Sequence, residues 1–170
     1  MKRLTKIGLI GTLCAISLGN LAFAADLPNE GKYDYTTCFT RTVTYVEYSP
    51  TQTAWSWSEV GRSVSDPSGS MFDGDESQCL GMTASLDGKR SGNTVCVGVA
   101  KDGAKRFTRF WYDVDGKLQR ETLGGTGKYD GMVTTGTVQD VKAPPSMKPG
   151  TQTFEYCNRN TGTYKLKLQP

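Results

Sequence analysis

The sequence predicts an all-β protein, a single antiparallel barrel of eight or nine strands stapled by disulfides. Apolar and polar residues alternate with a period of two in many short segments, and no segment keeps the 3.6-residue apolar period of a helix. Threonine, valine and aromatic residues, which suit a pleated strand, are frequent, whereas alanine and leucine are few after residue 24. Asp-Gly pairs, which favour hairpin turns, separate several of the alternating segments.

The strands can be placed one after another along the chain. They are predicted at 42–48, 53–60, 94–100, 106–112, 117–123, 131–141 and around 164–168. The second segment places Trp55 and Trp57 on one face, and the fourth places Phe107, Arg109 and Trp111 together on one face. These two aromatic faces are the candidates for the inner wall of the barrel.

Turns and loops divide the strands. The predicted turns are Asp87-Gly88, Asp102-Gly103, Asp115-Gly116 and, for a last hairpin, Asn160-Thr161-Gly162. The polar segment 61–78 and the proline-containing segment 142–150 are predicted to be long loops, which either cover the barrel mouth or simply run over the surface. The acidic run 73–76 lacks the ligand spacing of a calcium loop, so a solvated turn is the favoured interpretation.

The N-terminal segment has the pattern of a secretory signal. Basic residues precede an apolar run of about a dozen residues, and Ala22-Phe23-Ala24 provides the small residues before a cleavage site. The run is shorter than the roughly 20 residues that span a bilayer. We therefore expect residues 1–24 to be removed, leaving 25–170 as one barrel domain without membrane insertion, in the periplasm or secreted.

Four cysteines follow the predicted cleavage site, and an even number in an oxidising compartment predicts two disulfides. Three pairings are arithmetically open. We favour Cys79 with Cys96, which would join two arms of a local hairpin, and Cys38 with Cys157, which would tie an early strand to a late one. A zinc site is disfavoured because the chain has neither a C-x-x-C motif nor a histidine.

The composition also excludes several kinds of catalytic and binding site. The chain contains no histidine, which excludes Ser-His-Asp and Cys-His catalysis and any imidazole metal ligand. Residues 25–170 carry equal numbers of basic and acidic side chains, because the three additional basic residues lie in the signal. No basic stripe therefore indicates a nucleic-acid partner, and neither a metal nor a cofactor is expected.

One glycine-rich turn carries a family resemblance. The segment 124–131 reads Gly-Gly-Thr-Gly-Lys-Tyr-Asp-Gly, with Gly124, Gly125, Gly127 and Gly131 as its glycines. It resembles the G-G-T-G-[RK]-[FY]-x-G turn of the allene oxide cyclase and dirigent group of calycin-like barrels. Similar turns, together with the segments 157–159 and 161–164, are found in bacterial secreted barrel proteins of uncharacterised function. The resemblance implies an eight-stranded antiparallel barrel, in which the glycines form a tight connection and Tyr129 folds over the barrel end.

The candidate site is a cavity lined by the aromatic faces and by charges that point inward. Its candidate residues are Trp55, Trp57, Glu59, Phe107, Arg109 and Trp111. Packing of these rings as plain core is the favoured interpretation, and a ligand cavity is the alternative. Arg109 either points inward, where it needs a partner such as Glu59 or Glu121, or points outward as a solvated charge. The favoured function is non-enzymatic binding of a small apolar ligand or of a protein partner in the cell envelope. An isomerase-like enzyme built on Glu59, Arg109 and Tyr112, or a structural envelope protein, are the alternatives.

Overall fold

The computed structural model describes residues 28–167, which form eight antiparallel strands and one turn of 3-10 helix. The strands are β1 (Glu30–Ser49), β2 (Gln52–Ser65), β3 (Glu76–Leu86), β4 (Lys89–Val99), β5 (Lys105–Tyr112), β6 (Leu118–Gly125), β7 (Val133–Lys142) and β8 (Gly150–Lys165), and the helical turn is Gly127–Tyr129. The predicted signal segment 1–24 lies outside the described residues. In the part of the chain that is described, no helix is long and apolar enough to cross a membrane.

All eight strands belong to one sheet that curls into a nearly closed barrel. The strand order is β6-β5-β4-β3-β2-β1-β8-β7, and every neighbouring pair is antiparallel. Strands β6 and β7, at the two ends of this order, lie beside each other without a backbone ladder between them in residues 28–167. A hydrogen bond of 2.9 Å between the hydroxyls of Thr122 and Thr134 bridges this seam. The predicted all-β, disulfide-stapled barrel is confirmed, with eight strands.

Three sequence predictions about element bounds were wrong. Strand β1 begins at Glu30 rather than at residue 42, and the loop predicted over 61–78 is confined to 66–75 because β2 and β3 extend into it. Asn160-Thr161-Gly162 lies inside β8 instead of forming a hairpin. Gly162 pairs with Tyr33 on one side and Gly136 on the other, and a Cβ at position 162 would lie 2.0 Å from the Thr135 carbonyl oxygen. That glycine therefore serves close strand approach rather than a turn.

One end of the barrel is filled by loops that connect its strands, and we call it the filled end. The β2–β3 loop and the turn between β6 and β7 fold inward, so that Phe72 and Tyr129 are buried against rings of β1. The Phe72 ring centre lies 5.3 Å from that of Tyr33, 5.1 Å from that of Tyr35 and 5.7 Å from that of Tyr129. Such spacings are typical of aromatic pairs that stabilise a core.

Further along the barrel, large rings lie flat against the wall over glycines of the adjacent strand. A Cβ at Gly61 would lie 2.5 Å from Phe39 Cδ1, and a Cβ at Gly81 would lie 2.4 Å from Trp57 Cζ2. Because these two glycines have no side chain, Phe39 and Trp57 occupy the wall rather than the barrel axis. This arrangement leaves space inside the half of the barrel opposite the filled end.

Candidate ligand-binding cavity

The half of the barrel opposite the filled end encloses a cavity of about 450 Å³. Gly116 in the β5–β6 turn and Pro144 and Met147 in the β7–β8 loop lie at its mouth. The aromatic residues of its wall are Tyr35, Phe39, Trp55, Trp57, Phe110, Tyr112, Phe154 and Tyr156. Small-molecule sites in proteins usually have volumes of roughly 300–1,000 Å³ and combine apolar walls with a few polar groups. The cavity has the size and the composition of such a site.

The wall also carries many polar side chains, and three of them form a hydrogen-bonded group. Arg41 Nε donates to Glu59 Oε2 at 2.6 Å, and the Tyr156 hydroxyl donates to the same oxygen at 2.8 Å. Arg41 also donates to the Tyr156 hydroxyl and lies over the rings of Trp57 and Tyr156, 4.8 and 4.4 Å from their centres. The Glu59 side chain is only 4% exposed. The guanidinium balances this buried carboxylate, so the group can present fixed polar atoms to a ligand without leaving a charge uncompensated.

This polar group faces the barrel interior because of the register of three strands. Arg41 on β1 pairs with Glu59 on β2, and Phe39, two residues earlier on β1, pairs with Tyr156 on β8. Residues that alternate along a strand share a face, so all four side chains point inward.

The Cys79–Cys96 disulfide forms the wall beside Glu59. The two cysteines are directly opposite each other on β3 and β4, and both line the cavity. The Glu59 carboxylate and the two sulfur atoms lie within 4.8 Å of one another. Because both sulfurs are held in the disulfide, they are not thiolate ligands, and this cluster does not make a metal site. The predicted pairings Cys79–Cys96 and Cys38–Cys157 are both confirmed.

A second buried ion pair supports the cavity floor. Arg106 NH2 lies 3.4 Å from Asp75 Oδ2, and the Tyr129 hydroxyl lies 2.8 and 2.9 Å from the two oxygens of Asp75. The solvated turn predicted for the acidic run is wrong at Asp75, whose side chain is completely buried. Arg106 lines the cavity from β5, so this group separates the cavity from the filled end.

The structure places the predicted site residues on two different sides of the sheet. Trp55, Trp57 and Glu59 line the cavity. The other three candidates, Phe107, Arg109 and Trp111, are not among the cavity-lining residues. Their placement in the cavity was wrong, since the residues of β5 that point inward are those that alternate with them, namely 106, 108, 110 and 112.

Because Arg109 points outward, the predicted cluster of Glu59, Arg109 and Tyr112 does not form. Arg109 pairs with Glu121 at 3.2 Å on the outer face and lies 5.0 Å from the Trp111 ring centre. Glu59 and Tyr112 both line the cavity, but Arg109 cannot join them there. Arg41 on β1 is the cation that accompanies Glu59.

The glycine-rich turn after β6 closes the filled end. Gly127 and Gly131 have φ angles of 57° and 63°, which favour glycine, and a Cβ at Gly125 would lie 2.2 Å from the Tyr129 carbonyl oxygen. Gly124 has open space around its Cα. Tyr129 itself folds inside the barrel end and is fully buried.

Arg41, Tyr156, Asp75 and Arg120 are interior polar residues that the sequence reasoning missed. For Arg41 a signal exists, because Tyr33, Tyr35, Thr37, Phe39, Arg41 and Val43 alternate with exposed or half-buried residues along β1. Extending the first predicted strand toward the N-terminus would have placed Arg41 on the face of these rings. Asp75 carries no such signal, since the loop that contains it has no period.

Burial raises the pKa of four tyrosines, and the effect is largest at Tyr156 and Tyr129. It is the largest cause that raises the pKa of Tyr156 well above the usual value of 10, and the Glu59 carboxylate adds to it. Burial, and then Asp75, raise the pKa of Tyr129 in the same way. Burial also raises the pKa of Tyr33 and Tyr164. A phenol with a raised pKa remains a hydrogen-bond donor at neutral pH.

The folded protein is expected to lose stability in alkali. Four tyrosines have a folded pKa above 10, so their contribution is complete below pH 10 and is lost as the pH rises further and the unfolded chain ionises. In an alkaline titration, the tyrosinate absorbance of Tyr129 and Tyr156 should rise only together with unfolding, measured by circular dichroism. Replacing either tyrosine with phenylalanine identifies its contribution, and ionisation of both with the fold intact would contradict this expectation.

Comparison of the chain with models of protein families, with curated proteins and with solved structures gives no significant match.

Proposed function

We propose that this protein is an exported, non-enzymatic β-barrel that binds a small molecule in its hollow half. The single observation that carries the proposal is the 450 Å³ cavity, open at one end, whose wall combines aromatic side chains with polar ones that include the hydrogen-bonded Arg41–Glu59–Tyr156 group. Aromatic walls favour a ligand with an apolar body, and the polar group favours one with a hydrogen-bonding end. The ligand is therefore amphiphilic rather than uniformly apolar.

The proposed site of action is outside the cytoplasm, in the periplasm or beyond it. The signal-like residues 1–24 motivate this part of the proposal, and the two disulfides support it because such bonds persist mainly in oxidising compartments. Cleavage after Ala24 is the expected processing, which N-terminal sequencing of the exported protein would test.

Filling the cavity should abolish binding of an apolar probe. N-phenyl-1-naphthylamine, a neutral dye that becomes fluorescent in apolar surroundings, is expected to bind the wild-type protein. Thr94, which lines the cavity on β4, can be replaced by tryptophan to occupy that space. The dye should then bind the Thr94→Trp variant roughly tenfold more weakly or worse, as measured by fluorescence titration.

The matched control is Thr153→Trp on β8. Thr153 is exposed and its hydroxyl contacts Thr42 at 3.1 Å on the outer face, so the same substitution there leaves the cavity open. Thermal unfolding of both variants establishes that they fold. Equal dye binding by the two variants would mean that the probe does not occupy the cavity.

A protein partner is the second candidate, favoured by apolar side chains on the outer face of β2, β3 and β5. Val60, Leu80, Met82 and Phe107 are all exposed there. Exposed apolar patches on soluble domains commonly mark interaction surfaces. If copies of this chain associate through the patch, sedimentation should show a dimer that the double variant Leu80→Lys/Phe107→Lys converts to a monomer. A wild-type monomer at all concentrations would remove the self-association form of this candidate.

A further inference from the structure

The hairpin of β3 and β4 carries its small side chains inside the barrel and its large apolar ones outside. Every inward residue of the segments 77–83 and 92–98 is glycine, serine, threonine or cysteine. The outward residues of the same hairpin include Leu80 and Met82, which are exposed. A strand that packs against a filled core shows the opposite pattern, with its large apolar residues inward. This hairpin therefore leaves open the space that the cavity occupies.

The aromatic residues of the cavity wall lie on other strands. They come from β1, β2, β5 and β8, and none comes from β3 or β4. In the strand order, β8 is four strands away from β4, which places the two on opposite sides of the eight-stranded barrel. Phe154 on β8 lines the cavity on the side opposite the hairpin and is half-buried. A ligand in the cavity thus lies between a side rich in rings and a side of small polar groups.

Two hydroxyl-bearing residues of the hairpin are accessible from the cavity. Ser77 and Thr94 both line it, and both are half-buried. Because β3 and β4 are each paired with a strand on either side, the accessible surface of these residues belongs mainly to their side chains. A hydroxyl both donates and accepts hydrogen bonds, so it pairs well with ligand groups that do both.

The buried charges of the wall already have partners. Arg41 pairs with Glu59, and Arg106 pairs with Asp75. The other charged residues of the wall are exposed. A neutral ligand with several hydrogen-bonding groups suits this interior, because it adds no further charge that would have to be compensated away from water.

We propose that the ligand of the cavity carries a sugar ring, whose hydroxyls bond to the β3–β4 hairpin. The inference rests on the proposed binding function and names the class of its ligand. A pyranose carries hydroxyls around its rim and C–H groups on its faces, so a single ring presents polar groups to the hairpin and apolar groups to the aromatic side. An apolar substituent on the sugar is the apolar body that the remaining rings hold.

Two kinds of molecule that differ in their sugar hydroxyls test this proposal. Phenyl β-D-glucopyranoside and its galactose epimer carry them, and 2-phenoxytetrahydropyran has the same two rings without them. Displacement of N-phenyl-1-naphthylamine from the wild-type protein measures each affinity. At least one glycoside should bind roughly tenfold more tightly than the analogue, since the analogue leaves polar groups of the site unpaired. An apolar cavity would give the opposite order, because hydroxyls favour the water phase.

The double variant Ser77→Ala/Thr94→Val removes both hydroxyls with little change in shape. It should reduce the preference for the glycoside by at least about fivefold, while it changes the affinity for 2-phenoxytetrahydropyran far less. Thr94→Val alone should lose part of the preference. Thr153→Val is the matched control, because Thr153 is exposed and its hydroxyl contacts Thr42 on the outer face. Thermal unfolding of all variants establishes that they fold.

The outcomes separate this proposal from the proposed function. Wild-type affinity for the analogue that equals or exceeds the affinity for both glycosides would overturn the sugar proposal. A preference for the glycoside that survives in both the single and the double variant would overturn it as well, since the hairpin hydroxyls would then play no part. Failure of N-phenyl-1-naphthylamine itself to bind would instead overturn the proposed function.

Discussion

Replacing Asp75 with asparagine is expected to lower the free energy of unfolding by about 3–5 kcal/mol. The Asp75 side chain is completely buried, and that of Arg106 beside it is 5% exposed. Removing the carboxylate charge leaves this guanidinium buried without a counter-charge and weakens the hydrogen bond that Tyr129 makes to Asp75. Denaturant unfolding followed by circular dichroism measures the effect.

An exposed ion pair provides the comparison for Asp75. Glu121 and Arg109 pair at 3.2 Å, but their side chains are 42% and 39% exposed, so solvent screens the pair. Glu121→Gln should therefore cost about 1 kcal/mol or less. If Asp75→Asn costs no more than Glu121→Gln, the buried pair does not hold the filled end together.

The double variant Asp75→Asn/Arg106→Met tests whether the loss of stability in Asp75→Asn is caused by the charge of Arg106 that is left without a partner. Removing the guanidinium together with the carboxylate removes the uncompensated cation, so the double variant should be less destabilised than the two single losses added together. Simple additivity would show that the two side chains do not interact in the way that their geometry indicates.

The fold class and the disulfides could be predicted from the sequence. The fold class follows from the local alternation of residues, and the disulfides follow from the even number of cysteines. Alternation reports which side chains share a face of a strand, and Asp-Gly pairs such as Asp87-Gly88 report where strands reverse. Cys79 and Cys96 belong to neighbouring strands joined by such a turn, so their pairing follows from the hairpin itself.

The same alternation could not tell which face of β5 points inward. Phe107, Arg109 and Trp111 share one face, but the opposite face carries Phe110 and Tyr112, which are equally aromatic. Only the register against β4, where Thr108 lies opposite Cys96, decides the orientation. For Trp55 and Trp57 the alternation is less ambiguous, because the neighbouring residues of the opposite face, Ser56 and Ser58, are small and polar.

The interior charges depend on contacts that no local pattern encodes. Asp75 meets Tyr129, which is 54 residues away in the chain, and Arg41 meets Tyr156, which is 115 residues away. A buried acidic loop and a solvated acidic loop can have the same composition. Only the position of the loop in the folded barrel distinguishes them. Contacts between residues that are distant in the sequence form the site, and no local pattern in one sequence indicates them.

Removing the Cys38–Cys157 disulfide is expected to lower the free energy of unfolding by about 4–5 kcal/mol in the chain-entropy model. The bond joins residues 119 positions apart and ties β1 to β8. Cys38 is exposed and Cys157 is half-buried on the outside of the barrel, so replacing both with serine removes little packing. Its effect should therefore arise in the unfolded chain, which becomes freer when the long loop is opened.

The Cys79–Cys96 bond is the internal comparison, since it closes a separation of only 17 residues. Its loop-closure contribution is about 3 kcal/mol, although loss of its sulfurs from the cavity wall adds a packing cost to the Cys79→Ala/Cys96→Ala variant.

The dependence of unfolding on denaturant distinguishes the loop-closure effect from the packing cost. Opening the 119-residue loop lets the unfolded chain expose more surface, so the Cys38→Ser/Cys157→Ser variant should show the larger increase in m-value. A loss below about 1 kcal/mol with an unchanged m-value would show that the backbone ladder between β1 and β8 persists in the unfolded ensemble and makes the covalent tie redundant.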